Sequence, residues 1–197
     1  ELMEYVKKSY VWAKAQGSDL VGFFPELIVP YYLTCETCEV ADMIAIALKL
    51  TEAGLGDYWD DVDRWVRNQF IENQLVKADW VYRIPRSERG SVRRHPPQFY
   101  ETDDRVAQRN LGGFSAWSSG NEYTIRTGVL GCCTGNAART IYYIWEHILD
   151  YDDRQLQVNL LLNRASKWAD VNSYIPYEGR VDLKIKQPCK IVLVRVP

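Results

Sequence analysis

Five cysteines punctuate the chain, and four of them fall in two short clusters, Thr34-Cys35-Glu36-Thr37-Cys38-Glu39 and Gly131-Cys132-Cys133-Thr134-Gly135-Asn136. Thiolate sulfur and carboxylate oxygen are both ligands of tetrahedral Zn²⁺, and two pairs remote in sequence can converge on one ion. The odd count, and a vicinal pair that could bridge itself only through a strained ring, argue against a disulfide framework. Thiols kept reduced for metal binding or catalysis explain the pattern better. Each cluster is read as lying immediately before a helix, where backbone N–H groups and the positive end of the dipole favour thiolates. Depressed thiol pKa values follow as an expectation.

Which atoms would bind is left open by the spacing. Cys35 and Cys38 are three apart, so a helical turn would put both on one side and produce a closed, structural Cys₄ site. Glu36 and Cys38 are two apart and can bind together only if that segment is still extended. A redox dithiol is a third reading, weakened because no βαβ pattern surrounds the C-x-x-C. Ordinary buried cysteines are the fourth.

The background is that of a folded, mixed-composition chain. At 197 residues with 47% hydrophobic and 25% charged content, it can bury a sizeable core, and disorder is not expected. A net charge of −2 gives no reason to expect nucleic acid or an anionic membrane surface as partner. No apolar run approaches the ~18 residues a membrane span needs, and the N-terminus lacks the order of a signal peptide. Reduced cysteines favour a cytoplasmic address. The abundant Trp and Tyr fit a packed core better than a sugar-stacking cleft when taken alone.

The elements that must position the clusters can be read from periodicity. Tyr5, Val6, Tyr10, Val11 and Trp12 lie near helical spacing until Gly17, with no N-cap before Leu2, as if the helix began upstream. Val40, Met43, Ile44, Ala47 and Leu48 predict a helix over 40–53, ended by Gly54. Asp57 can cap a second, on which Trp59, Val62, Val66 and Phe70 share a face, and the short turn predicts antiparallel packing. Arg83, Arg86, Arg89, Arg93, Arg94 and His95 read as a long basic surface loop over 83–105. A helix is predicted over 136–149, capped by Asn136 and buried through Ala138, Ile141, Trp145 and Ile148. Beyond Leu156 the period shortens to two. Val158, Leu160 and Leu162, then Val181, Leu183 and Ile185, then Ile191–Val196 read as strands, with a turn at Tyr177-Glu178-Gly179.

Four blocks taken together carry a resemblance. Glu36-Thr37-Cys38, the helix opening Glu39-Val40-Ala41-Asp42-Met43-Ile44, the stretch Asp57-Tyr58-Trp59-Asp60-Asp61-Val62-Asp63-Arg64, and Cys132-Cys133-Thr134-Gly135-Asn136 resemble successive blocks of glycoside hydrolase family 127. That family comprises zinc-dependent β-L-arabinofuranosidases. The resemblance implies a Zn²⁺ cofactor held by Glu36, Cys38, Cys132 and Cys133, with Cys132 also the nucleophile of a retaining glycosidase. It implies a separate carboxylate as general acid/base, for which Glu26 is the candidate and Asp19 its competitor. It implies a carbohydrate substrate of the β-L-arabinofuranoside kind or a related plant-type glycoside. The implied fold is mainly α: part of an (α/α)₆ toroidal barrel over 1–155, then the first strands of a β-sandwich domain over 156–197. A partial barrel and an unfinished sheet lead to the expectation of a homo-oligomer or of a longer native chain. The competing expectation is a non-catalytic module, or an inactive fragment, with a structural Cys₄ zinc.

Overall fold

The computed structural model describes residues 1–29, 34–83, 104–118 and 128–197. Most of the basic loop read at 83–105, including Arg86, Arg89, Arg93, Arg94 and His95, lies outside the described residues.

Helix α1 (Leu2–Lys14) is followed in the chain by a two-residue strand β1 (Cys35–Glu36), which runs directly into α2 (Thr37–Glu52). α2 is the central helix. Val40, Ala41, Ile44, Ala47, Leu48 and Leu50 are all essentially inaccessible, a stripe too wide for a helix with one partner. Each fully buried Leu, Ile or Val contributes roughly 1.5–3 kcal/mol, which outweighs the exposed Lys49–Glu52 pair at 2.8 Å, of a kind worth about 0–1 kcal/mol. Burial therefore decides where α2 sits. Its end is built as the sequence indicated: Gly54 takes φ +69° and Leu55 N–H donates back to Leu50 O at 3.0 Å.

α3 (Trp59–Trp65) packs on α2 and is tied to α1 through Asp61, whose buried carboxylate accepts from Tyr10 Oη at 2.6 Å and Lys14 Nζ at 2.7 Å. The face expected to continue through Val66 and Phe70 is interrupted. The helix is kinked within Val66–Phe70, where Asn68 leaves helical dihedrals at φ −108° and ψ −107°. Just beyond the kink, Gln69 and Phe70 are both buried. A 3₁₀ turn (Asp79–Arg83), the one-turn α4 (Val106–Arg109) and β2 (Trp117–Ser118) lead to α5 (Gly131–His147).

β3 (Leu149–Asp152) and β4 (Gln155–Val158) form a hairpin, and after β5 (Arg164–Ala165), β6 (Ala169–Ser173) and β7 (Val181–Ile185), strand β8 (Ile191–Val194) returns parallel to β4. β5, β6 and β7 make a separate antiparallel sheet, with Tyr177-Glu178-Gly179 in the β6–β7 connection. Leu160 and Leu162, expected in a strand, lie beyond the end of β4. There Asn159 and Leu160 N–H both donate to Ile148 O instead of continuing the ladder.

The toroidal barrel is not what this chain forms. Such a barrel closes on six helix pairs, whereas the described residues hold five α-helices, two of them only seven and four residues long, interleaved with small sheets. Beyond Phe70 the described residues are held by α5, strand pairs and irregular connections, so no ring of helix pairs is built among them. Among the described residues, no helix is long and apolar enough to cross a membrane.

Candidate metal centre

Residue 36 is the junction between strand and helix. Glu36 has extended dihedrals, φ −101° and ψ 124°, and is the N-cap of α2: its side chain accepts from Glu39 N–H, with Oε2 at 2.9 Å. Its other oxygen, Oε1, faces Cys133 Sγ at 3.3 Å. Glu36 is extended but Cys38 already lies in α2, so the segment is only partly in the extended form that joint binding was expected to need. Both vicinal cysteines lie inside the first turn of α5, which begins at Gly131 and not at Asn136 as the propensities suggested. Asn136 is therefore not a cap; it lies in the helix's second turn.

The two helix starts meet. Cys38 Sγ is 3.5 Å from Cys133 Sγ, Cys133 Sγ is 3.7 Å from Cys132 Sγ, and all three sulfurs lie within 4.8 Å of one another. These separations are far too long for a disulfide at about 2.05 Å. Three sulfurs bound tetrahedrally at about 2.3 Å would sit about 3.8 Å apart, close to what is observed. Cys38, Cys132 and Cys133 can hold a metal ion; Glu36 Oε1 touches Cys133 Sγ at 3.3 Å but is not among the atoms that all lie within 4.8 Å of one another. Cys35 is not in the group. Its side chain is fully buried in the core cluster, with Sγ 4.0 Å from Glu36 O.

The group is shaped by a buried polar network that sequence reasoning missed. Asn73 Nδ2 donates to Thr37 Oγ1 at 2.9 Å, Gln69 Nε2 donates to Asn73 Oδ1 and Ser118 Oγ at 2.9 Å, and Ser118 Oγ donates to Asn73 Oδ1 at 2.6 Å. Thr37 Oγ1 in turn donates to Ser115 O at 2.6 Å. Gln69 follows directly on the kink at Asn68 and is buried. These bonds seat residues 114–118 against the start of α2, and β1 and β2 pair Cys35 with Ser118 and Glu36 with Trp117. Isolated polar residues scattered over 80 positions offer no periodic signal that they converge.

No protein-family model matches this chain, and neither a curated protein nor a solved structure matches it.

Exposure runs in order across the sulfurs: Cys133 is buried, Cys38 half-buried and Cys132 exposed. Burial, then Cys38, Glu36 and Cys132 as neighbours, pushes the Cys133 thiol far above its ordinary value, and burial pushes Cys38 up to about 11 despite its contact with Cys133. The depressed values expected from helix N-termini are overridden, because desolvation and an adjacent carboxylate outweigh two half-charges. Glu39 is also raised, first by burial and then by the charges of Glu36, Asp42 and Glu26. Protons on Cys38 and Cys133 must leave when a cation arrives. Apparent metal affinity is therefore expected to rise with pH, by about tenfold per pH unit for each displaced proton. Calorimetry of cobalt uptake at neutral pH in buffers of different ionisation enthalpy should report at least two protons released per metal; release of none would contradict the cysteine assignment.

The two acid/base candidates are placed differently. Glu26 is exposed, follows Pro25, which bridges to Cys35, and acts electrostatically on Glu39. Asp19 pairs with Lys14 at 3.5 Å while its carbonyl accepts from the Trp65 indole at 2.7 Å, in the corner between α1 and α3.

Proposed function

We propose that the chain is a retaining glycoside hydrolase in which Cys132 is the nucleophile of a zinc-thiolate group completed by Glu36, Cys38 and Cys133, acting on β-L-arabinofuranoside-like or related plant-type glycosides. The observation that carries this reading is the exposure order of the sulfurs. Structural metal sites are closed, whereas Cys132 opens to solvent on a scaffold whose other members are buried or half-buried. The donor set of three thiols and one carboxylate suits zinc, which would keep the thiolates ionised at neutral pH when bound.

The residues divide the work as follows. Glu36 is held by the N-terminus of α2 through Oε2, so Oε1 is presented in one direction. Cys133 anchors the centre of the group from the buried side. Cys132 Sγ attacks the anomeric carbon, forming a C–S bond as the C–O bond to the leaving group breaks, and Glu26 gives its proton to the departing oxygen. Glu26, now ionised, takes a proton from water as the water oxygen displaces Cys132 and restores its thiolate. The usual carboxylate pair of a retaining enzyme stands about 5–5.5 Å apart, and Cys132 and Glu26 must meet the same requirement with substrate bound.

X-ray absorption at the zinc edge on purified, metal-quantified protein, paired with hydrolysis of an aryl β-L-arabinofuranoside, tests the proposal. One zinc with three sulfurs and one oxygen or nitrogen, together with aglycone release, is the expected result. Four sulfurs, no stoichiometric zinc, or no hydrolysis by the loaded protein would reject it.

A further inference from the structure

Cys38 is the only sulfur of the group that α2 supplies; Cys132 and Cys133 come from α5. The short sulfur separations thus depend on the register of α2 against α5. The helices run parallel, with Cys38 beside Cys133 at their starts and Glu52 beside His147 at their ends.

One side chain crosses between them at the level of the metal group. Asn136 Nδ2 donates to Cys38 O at 3.3 Å and to Asp42 Oδ1 at 3.0 Å, and the amide is also in hydrogen-bonding reach of Cys38 Sγ. Asn136 Oδ1 accepts from Arg139 Nη2, and Arg139 itself pairs with Asp42 at 3.0 Å. The chemistry fixes which way the amide points. Arg139 can only donate, while the Cys38 carbonyl and the Asp42 carboxylate can only accept, so a flipped amide would set like against like on both sides.

We propose that Asn136 is a positioning residue for the metal group, holding the Cys38 end of α2 against α5 so that its sulfur stays at ligand spacing from Cys132 and Cys133, with Arg139 locking the amide. This rests on the metal reading above but not on the sugar. Partners just outside a metal's ligands typically set its affinity by 10–100-fold when removed.

The structure also supplies a control. One turn further along, Thr140 Oγ1 donates across the same helix pair to Ala41 O at 3.3 Å without touching the sulfurs. Thr140→Val removes an interhelical bond and leaves the group's surroundings alone. Full-length Asn136→Ala, Asn136→Asp and Thr140→Val chains are titrated with cobalt(II) against a chromophoric chelator, and the sulfur-to-cobalt charge-transfer band is recorded. Both Asn136 variants are expected to bind cobalt about 10–100-fold more weakly with a displaced band, and Thr140→Val to match the wild type. Asn136→Asp keeps the size of the side chain, so it serves if the alanine variant fails to fold. Wild-type affinity and band in the Asn136 variants, or an equal loss in Thr140→Val, would overturn the proposal. If the wild type takes up no cobalt, the metal reading itself falls and this inference with it, which is a different result from wild-type binding that survives loss of Asn136.

Discussion

Under the proposed mechanism, Cys132→Ser is expected to lower turnover of an aryl glycoside by on the order of 10⁴-fold or more, because it would remove the group assigned to form the covalent bond. The same change should leave the thermal midpoint nearly unmoved. Cys132 is exposed, so the substitution opens no cavity and buries no new polar atom. A serine variant that turns over at the wild-type rate would eliminate Cys132 as nucleophile, whatever its role toward the metal. A variant that loses activity only in step with loss of metal would demote it to a ligand.

The second large effect separates the two ligand sets. Cys133 is buried at the centre of the group and touches Cys38, Cys132 and Glu36. Cys133→Ser is therefore expected to weaken metal binding by on the order of 10³-fold, since a thiolate donor is replaced by a hydroxyl that stays protonated. Cys35→Ser should leave metal affinity within about twofold while costing roughly 1–3 kcal/mol of stability, the range for burying a hydroxyl without a partner. Competition titration with a chelator, alongside denaturant melts, reads both. Metal lost on Cys35→Ser and kept on Glu36→Gln would restore the closed four-sulfur site.

What could be read in advance was the donor chemistry. The residues alone left open which of Cys35, Glu36 and Cys38 would join the vicinal pair; the resemblance named Glu36, Cys38, Cys132 and Cys133, and the structure brings Cys38, Cys132 and Cys133 together. The rest depended on tertiary context. Gly131, Thr134 and Gly135 are poor helix formers, so the helix appeared to begin at Asn136. Burial of Cys133 and the bond from Phe114 N–H to Thr134 Oγ1 at 2.9 Å hold that first turn in place instead. Asn136 thereby changed from a supposed cap into a cross-helix clamp. Asp42 and Arg139 drew no attention because a surface acid and base on different helices look like ordinary solubilising charge. The barrel expectation rested on the resemblance alone, since the residues' own periodicity gave only a few helices followed by strands, and the described residues hold five α-helices among small sheets. The alternating leucines at 160 and 162 mislead similarly, because apolar alternation marks burial and a strand exists only where a partner ladder continues.

The parallel helix starts have a topological consequence. Cys38 and Cys133 are 95 residues apart in sequence, so an ion held between them would staple the ends of a long loop. For a rigid cross-link around a loop of about 100 residues, the entropic account assigns some 4–5 kcal/mol of stabilisation, most of it from restricting the unfolded chain. The dependence on loop length is logarithmic, and doubling the loop changes the closure term by only about 0.6 kcal/mol. The chain between the two ligand pairs can thus lengthen or shorten with little effect on the staple. A relative with a large insertion between an E-x-C and a C-C pair would be expected to keep the same centre.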